Sequence, residues 1–244
     1  MYFDQAEYDL RCEWGIQGLL AAEAMCDAVV IVDVLSFSTA VDIAISNGAS
    51  VLPYPWGDKS AGRFARYKGA LLASDRASAG YSLSPASLRF IPAQTLLVLP
   101  SPNGSTLSLS TNGVPTFTAC LRNAPAVAKR AAACGPRIVV IPAGERWESN
   151  SLRPCLEDLI GAGAVLAEMD GTLSPEAELA VSAFAHFRQT LFDAISRCGS
   201  GKELSQKAFT VDIELAAEYA VSSSAPVLAG DRFIDDCSPR TAVD

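Results

Sequence analysis

One histidine, His186, in 244 residues removes the ligand supply for multi-histidine metallophosphatases and for zinc hydrolases that need two imidazoles. It sits in Ala183-Phe184-Ala185-His186-Phe187, which reads as a helix-face or core histidine. No cysteine has an arginine six positions later, so the Cys-x5-Arg pattern of thiolate phosphatases is missing. The seven cysteines contain no Cys-x-x-Cys pair and are odd in number, which argues against a disulfide framework or zinc ribbon and for a reducing compartment. Basic residues are scarce: 19 Lys and Arg stand against 27 Asp and Glu, a formal charge of −8. Nucleic acid and anionic membrane surfaces need clustered cations, so neither is an expected partner. No run approaches about 18 uninterrupted apolar residues. Asp4, Glu7, Asp9 and Arg11 occupy the region where a signal peptide needs an apolar core, so an unanchored cytoplasmic protein is expected.

What is present is half hydrophobic, with 17 Gly and 14 Pro spread along the chain. That composition suits one large domain over residues 1–244. Short β-branched runs ending in Gly, Pro, Ser or Asn alternate with segments of helical period. The runs predict strands at Ala28–Leu35, Ala49–Tyr54, Ala70–Ser74, Thr95–Pro100, Thr116–Ala119 and Arg137–Pro142, with a weaker one near Val227. Helices are predicted at Thr39–Ser46, Lys59–Tyr67, Thr106–Ser110, Asn123–Ala133 and Leu156–Ala167. After Ser174 the reading is one long helix over Glu176–Arg197 and a shorter one over Asp212–Ala220. The fold class is α/β: a three-layer α/β/α sandwich with a mostly parallel (mixed) sheet and a helical C-terminal region. Ser78–Pro92 is the longest loop, either a lid or a crossover.

Small polar residues recur just past strands and just before helices. They are Asp33-Val-Leu-Ser36-Phe-Ser38-Thr39, Ser101-Pro-Asn103-Gly104-Ser105-Thr106, Arg122-Asn123 and Ala143-Gly144-Glu145-Arg146. In a parallel sheet such ends share one edge, where helix N-termini offer free N–H groups to anions. The blander reading is that Asn103-Gly104 makes a turn and the hydroxyls cap helices. Asp33 closes an apolar strand, where a carboxylate is costly without a backbone donor, solvent or a metal. Glu157 and Asp158 open a helix, a position the macrodipole favours by about 0.3–1 kcal/mol each, with Arg153 one turn earlier as a possible pair for Glu157. Asp33 with one or both of these acids would make an oxygen-rich site suited to Mg²⁺.

Two other motifs fail. Gly199-Ser-Gly201-Lys202-Glu203 lacks the first glycine and the terminal Ser or Thr of a phosphate loop, and reads as a glycine turn ending a helix. Asp33-Val34-Leu35 lacks the second acid of the Asp-x-Asp pattern used by haloacid-dehalogenase-type phosphatases.

Taken together, Val32-Asp33-Val-Leu-Ser-Phe-Ser-Thr39, Ser101-Pro-Asn-Gly-Ser-Thr106, Pro142-Ala-Gly-Glu-Arg146 and Leu156-Glu157-Asp158-Leu-Ile-Gly-Ala-Gly-Ala164 resemble the 2-phosphosulfolactate phosphatase family. Tyr81–Pro85 and Gly201 through Ile213 extend the likeness. The resemblance implies Mg²⁺ dependence and hydrolysis of a small phosphorylated acid, 2-phosphosulfolactate, to sulfolactate and phosphate in coenzyme M synthesis. It makes Asp33, Glu157 and Asp158 the catalytic and metal-bearing acids. The substrate would lie against Ser36, Ser38, Thr39, Asn103, Gly104, Ser105, Thr106, Arg122, Asn123, Gly144 and Arg146. Where the family pattern has Arg-Ala-Thr after Asp-Val-Leu, this chain has Ser36-Phe37-Ser38, and Arg146 is the expected replacement cation. An aspartyl-phosphate enzyme and a non-catalytic phosphorylated-acid-binding module remain as alternatives, and a homodimer is the expected assembly if there is one.

Overall fold

The computed structural model describes residues 3–55, 59–78 and 80–235. Cys237 lies outside them. Nine strands form the main sheet: β1 (Leu10–Cys12), β2 (Ala28–Val32), β3 (Ser50–Pro55), β4 (Leu71–Leu72), β5 (Leu96–Ser101), β6 (Thr116–Ala119), β7 (Ile138–Pro142), β10 (Pro226–Ala229) and β11 (Arg232–Asp235). A small hairpin pairs β8 (Glu145–Arg146) with β9 (Leu152–Arg153). The helices are α1 (Gly15–Ala22), α2 (Phe37–Ser46), α3 (Ser60–Lys68), α4 (Gly104–Ser108), α5 (Ala124–Ala132), α6 (Leu156–Leu166), α7 (Pro175–Phe187), α8 (Leu191–Arg197), α9 (Gly199–Gln206) and α10 (Thr210–Ala217).

The strand order is β1-β7-β2-β6-β10-β11-β3-β5-β4. β1, β7, β2 and β6 run parallel, as do β3, β5 and β4, while the β10–β11 pair joins the two blocks through antiparallel ladders. Side-chain alternation sends each strand to two helical layers. On β2, Ala28, Val30 and Val32 pack with Val127, Ala131 and Ile160 on one face, and Val29 and Ile31 pack with Leu19 and Leu107 on the other. On β5, Leu97 and Leu99 join Phe37 and Val41, while Val98 joins Ala65. The three-layer α/β/α sandwich on a mixed sheet is therefore present.

The antiparallel hairpin reverses the sense of one parallel block relative to the other. The segments that follow β2 and β5 nevertheless meet, and the Gly104 amide reaches Asp33 across 71 residues of chain.

Several expectations are corrected. The single helix over Glu176–Arg197 is two, because Thr190 takes a non-helical conformation between α7 and α8, and no Gly or Pro announces that break. Gly199–Glu203 starts α9 instead of ending a helix; the Cys198 sulfur accepts the Gly201 N–H at 3.3 Å. A Cβ on Gly201 would sit 1.9 Å from the Ile195 carbonyl oxygen, so the glycine serves close packing of α9 on α8. β1, α1 and β11 are too short or too mixed in pattern to read from sequence. Of the predicted 78–92 loop, residues 80–92 cross over to β5 and are pinned where the Ser84 hydroxyl and the Ala86 N–H donate to Asp212 of α10. His186 is exposed on α7, edge-on to Phe187, so of the two readings the helix face holds and the core does not. Among the described residues no helix is long and apolar enough to cross a membrane.

Candidate active site

Asp33 follows β2 directly and is 6% exposed. One carboxylate oxygen accepts the Phe37 N–H at 3.1 Å from the start of α2, and the other accepts the Gly104 N–H at 2.9 Å from the start of α4. A Cβ at Gly104 would stand 2.3 Å from the Phe37 ring and 2.8 Å from that carboxylate, so only glycine permits the approach. The backbone-donor reading of Asp33 is thus correct, and the Gly104 N–H reserved for an anion is already satisfied by a side chain.

A cavity of about 310 Å³ opens beside it, lined by Asp33, Leu35, Ser36, Arg76, Leu83, Ser101, Pro102, Asn103, Glu145, Ser200, Glu203, Leu204 and Lys207. Four strand ends feed it, those of β2, β4, β5 and β7. Burial raises the Asp33 carboxyl from 3.8 to about 6, with the Glu157 charge adding to the rise and its two N–H donors and Arg76 opposing it. Glu145 rises further, from 4.5 to about 7, through burial and then the charge of Asp33, although Asn103 Nδ2 donates to it at 2.9 Å. Sequence reasoning passed over Glu145 even though it stands inside the Gly144-Glu145-Arg146 segment; its neighbour Arg146 drew the attention.

Glu157 and Asp158 are both buried at the start of α6, with Asp33 close enough to act on each electrostatically. Asp158 receives the Val34 and Gly144 N–H groups, both at 2.8 Å, and thereby ties the end of β2 to the turn after β7. Burial first, then the charges of Glu157 and Asp33, push its carboxyl well above the usual range. The thiol of Cys198 is pushed up to about 12 by burial and then by the charge of nearby Glu157. Arg153 donates to Ser200 Oγ at 3.2 Å and lies over Trp147. Among the described residues no three His, Cys, Asp or Glu side chains form a preassembled metal-ligand group. Asp33, Glu157 and Asp158 are therefore gathered into one acidic region without converging as a trio. Mg²⁺ commonly takes only one or two carboxylates and fills its octahedron with water and substrate phosphate, so the all-oxygen donor set fits that ion.

The remaining residues predicted to touch substrate divide. Ser36 and Asn103 line the cavity. Ser38, Thr39 and Ser105 are fully buried hydroxyls bonded within the fold: Ser38 to the Asp33 N–H and Thr118, Thr39 to the Val34 carbonyl, Ser105 to the Leu99 carbonyl. Gly144 gives its N–H to Asp158. Thr106 and Arg146 face a separate cavity of about 180 Å³ on the other side of the Asn103–Glu145 bond, and Arg146 is exposed and donates to Asn150. Arg146 is accordingly not the cation of the main cleft. That cation is Arg76, which follows β4 and was missed, although the rule of looking just past each strand would have found it after the predicted Ala70–Ser74 run.

Asn123 caps the Cys120 N–H at 2.9 Å. Arg122 turns away from the cleft to Asp42 at 2.8 Å and to Glu218, and Asp42, with no exposure, also accepts from Ser222 and Ser224. These two residues hold the fold, not the ligand. Arg122→Ala would strand a buried carboxylate, for which about 3–5 kcal/mol is the usual loss. We expect its melting temperature to fall by roughly 6–20 °C, at about 2–4 °C per kcal/mol for a chain of this length, with KM within twofold of the parent; a KM rise of tenfold would return Arg122 to the binding site.

Comparison with known proteins identifies the family. A 2-phosphosulfolactate phosphatase of Methanothermobacter thermautotrophicus is similar, 28% identical over 210 residues that cover 84% of this chain and 88% of the relative. The family described as 2-phosphosulpholactate phosphatase matches residues 16–231, a span that includes every cleft residue. An acid-lined cleft at converging strand ends and a family match over most of the sequence lead to one assignment: the chain belongs to the 2-phosphosulpholactate phosphatase family and is a phosphoric monoester hydrolase.

Proposed function

We propose that this protein is a Mg²⁺-dependent phosphatase that converts 2-phosphosulfolactate to 3-sulfolactate and phosphate, a step of coenzyme M biosynthesis carried out in the cytoplasm. The observation that carries the reading is the crowding of Asp33 and Glu145 on the cleft wall with Glu157 and Asp158 buried behind them, where burial first and then neighbouring negative charge raise the carboxyls of Asp33, Glu145 and Asp158. Such a cluster is costly unless a cation relieves it. Asp33, which faces the cavity, and Glu157 behind it would hold Mg²⁺; Asp158, occupied by two backbone N–H groups, positions them. When bound, the ion supplies charge neutralisation of the phosphoryl oxygens.

The chain's own groups account for the rest. Ser36 and Asn103 present hydrogen-bonding groups along the cleft, and Arg76 adds a fixed positive charge. Glu145 is the wall carboxyl whose proton is retained near neutrality, so it is placed to hand that proton to the ester oxygen as the P–O bond breaks. Asp33 must be ionised for its role and Glu145 protonated for its own.

The test is phosphate release from 2-phosphosulfolactate followed across pH. A bell-shaped kcat/KM profile is expected, with an alkaline limb near 7 from Glu145 and an acid limb at or below 6 from Asp33. The acid limb should move to lower pH as Mg²⁺ is raised, because metal and proton compete for the same carboxylate. No phosphate release at any pH would overturn the assignment.

A further inference from the structure

The cleft is not uniform in charge. Asp33 and Glu145 line the inner cavity of about 310 Å³ and not the adjoining one of about 500 Å³, whereas Arg76, Leu83 and Lys207 line both. Arg76 and Lys207 therefore mark the junction, with Asp33 and Glu145 on the inner wall and Asp75 on the outer one.

Arg76 is held there from several sides. One Nη donates to Asp212, itself 1% exposed and also taking the Ser84 hydroxyl and the Ala86 N–H; the other Nη donates to Ser36 Oγ at 2.7 Å. The guanidinium lies 5.6 Å from the Phe209 ring centre. These two hydrogen bonds use two of the five N–H groups of a guanidinium. Its side chain is 19% exposed, so the group is oriented before any ligand arrives yet still meets the cavity. Lys207, mostly exposed and paired with Glu203 at 2.6 Å, stands on the same stretch of wall.

We infer that Arg76, assisted by Lys207, is the anchor for a second anionic group of the substrate, a sulfonate or carboxylate a few atoms from the phosphate. The inference rests on the phosphatase reading and deepens it. An ester phosphate bound beside Asp33 leaves the far end of a three-carbon acid at the junction. A planar donor fork fixed by Asp212 recognises an oxyanion there with geometry as well as charge. The site then selects acidic phosphate esters and rejects neutral ones, because a neutral tail gives no acceptor to the N–H groups that Asp212 and Ser36 leave free.

Three esters separate the possibilities: 2-phosphosulfolactate, 2-phospholactate without the sulfonate, and isopropyl phosphate without either acid. The parent enzyme should favour the first over the third by roughly 10²-fold or more in kcat/KM. In Arg76→Gln that ratio should fall below ten, mainly through KM. The second ester tells which acid is held: the sulfonate if 2-phospholactate behaves like isopropyl phosphate, the carboxylate if it behaves like 2-phosphosulfolactate. Lys207→Ala, at an exposed position, should reduce the same ratio about threefold to tenfold, and it carries the test should Arg76→Gln fail to fold.

An equal loss on all three esters would overturn the inference by placing Arg76 on the shared phosphoryl group, and an unchanged ratio would also overturn it. If the parent enzyme hydrolyses none of the three, the phosphatase reading falls separately. Calorimetric titration with 3-sulfolactate then decides the anchor: tenfold weaker binding in the Arg76 variant upholds it, and equal binding rejects it.

Discussion

Asp33→Asn is expected to lower kcat for phosphate release by about 10³-fold or more while the fold survives. A factor of 10³ corresponds to about 4 kcal/mol of barrier, within reach of one metal-bearing carboxylate beside a phosphoryl group. The stability effect is smaller because two opposing terms meet at this residue. An asparagine can accept only one of the Phe37 and Gly104 N–H groups, since its NH₂ must face the other; an unsatisfied buried donor costs about 1–3 kcal/mol. Against that, the neutral side chain escapes the burial penalty and the repulsion from Glu157 that push the Asp33 carboxyl up to about 6. The net change in melting temperature should stay within about 5 °C. Rates measured under single-turnover conditions, with circular dichroism as the fold control, check both halves. A variant with near-normal turnover would sink the role given to Asp33.

The comparison of sequence with structure shows where local pattern suffices. Ala28–Val32 and Ile138–Pro142 were legible because a fully buried strand needs an unbroken β-branched run, and Asp33 stood out by ending one. Asn103 and Gly104 were legible as turn residues, while the helices start two residues earlier than their pattern suggested, at Phe37 and Gly104. What the chain conceals is who satisfies whom. Gly104 N–H goes to Asp33 and Gly144 N–H to Asp158, pairings set by the convergence of strand ends across the sheet. Arg122 and Arg76 illustrate the same limit from opposite sides: both follow strands, yet one is claimed by Asp42 and the other by Asp212 at the mouth of the cavity. Those partners lie 80 and 136 residues away, beyond any spacing rule. The break at Thr190 is hidden for a different reason, since residues 188–190 are compatible with helix and only the packing of α8 against α9 and α10 ends it.

Withdrawal of Mg²⁺ should produce the other large effect, a loss of activity of about 10³-fold in EDTA that returns on adding Mg²⁺. A thermal readout independent of turnover accompanies it. Asp33 and Glu145 hold their protons more tightly in the folded protein than in the unfolded chain, with values rising from 3.8 to about 6 and from 4.5 to about 7. Between about pH 4 and pH 7 the native state therefore binds more protons than the unfolded one, and these groups make stability fall as pH rises, with the loss complete above 7. A divalent cation offsets the repulsion only once the carboxylates are ionised. At 100 times its dissociation constant it would add about 2.7 kcal/mol, or roughly 5–10 °C in melting temperature. We expect that gain at pH 8 and little of it at pH 5, where protons already neutralise the cluster. In Asp33→Asn the pH 8 gain should shrink to below about 2 °C, because the cavity-facing carboxylate is gone. An equal shift at both pH values, or one that survives in Asp33→Asn, would locate the ion elsewhere on the protein and leave the acidic cluster without a metal role.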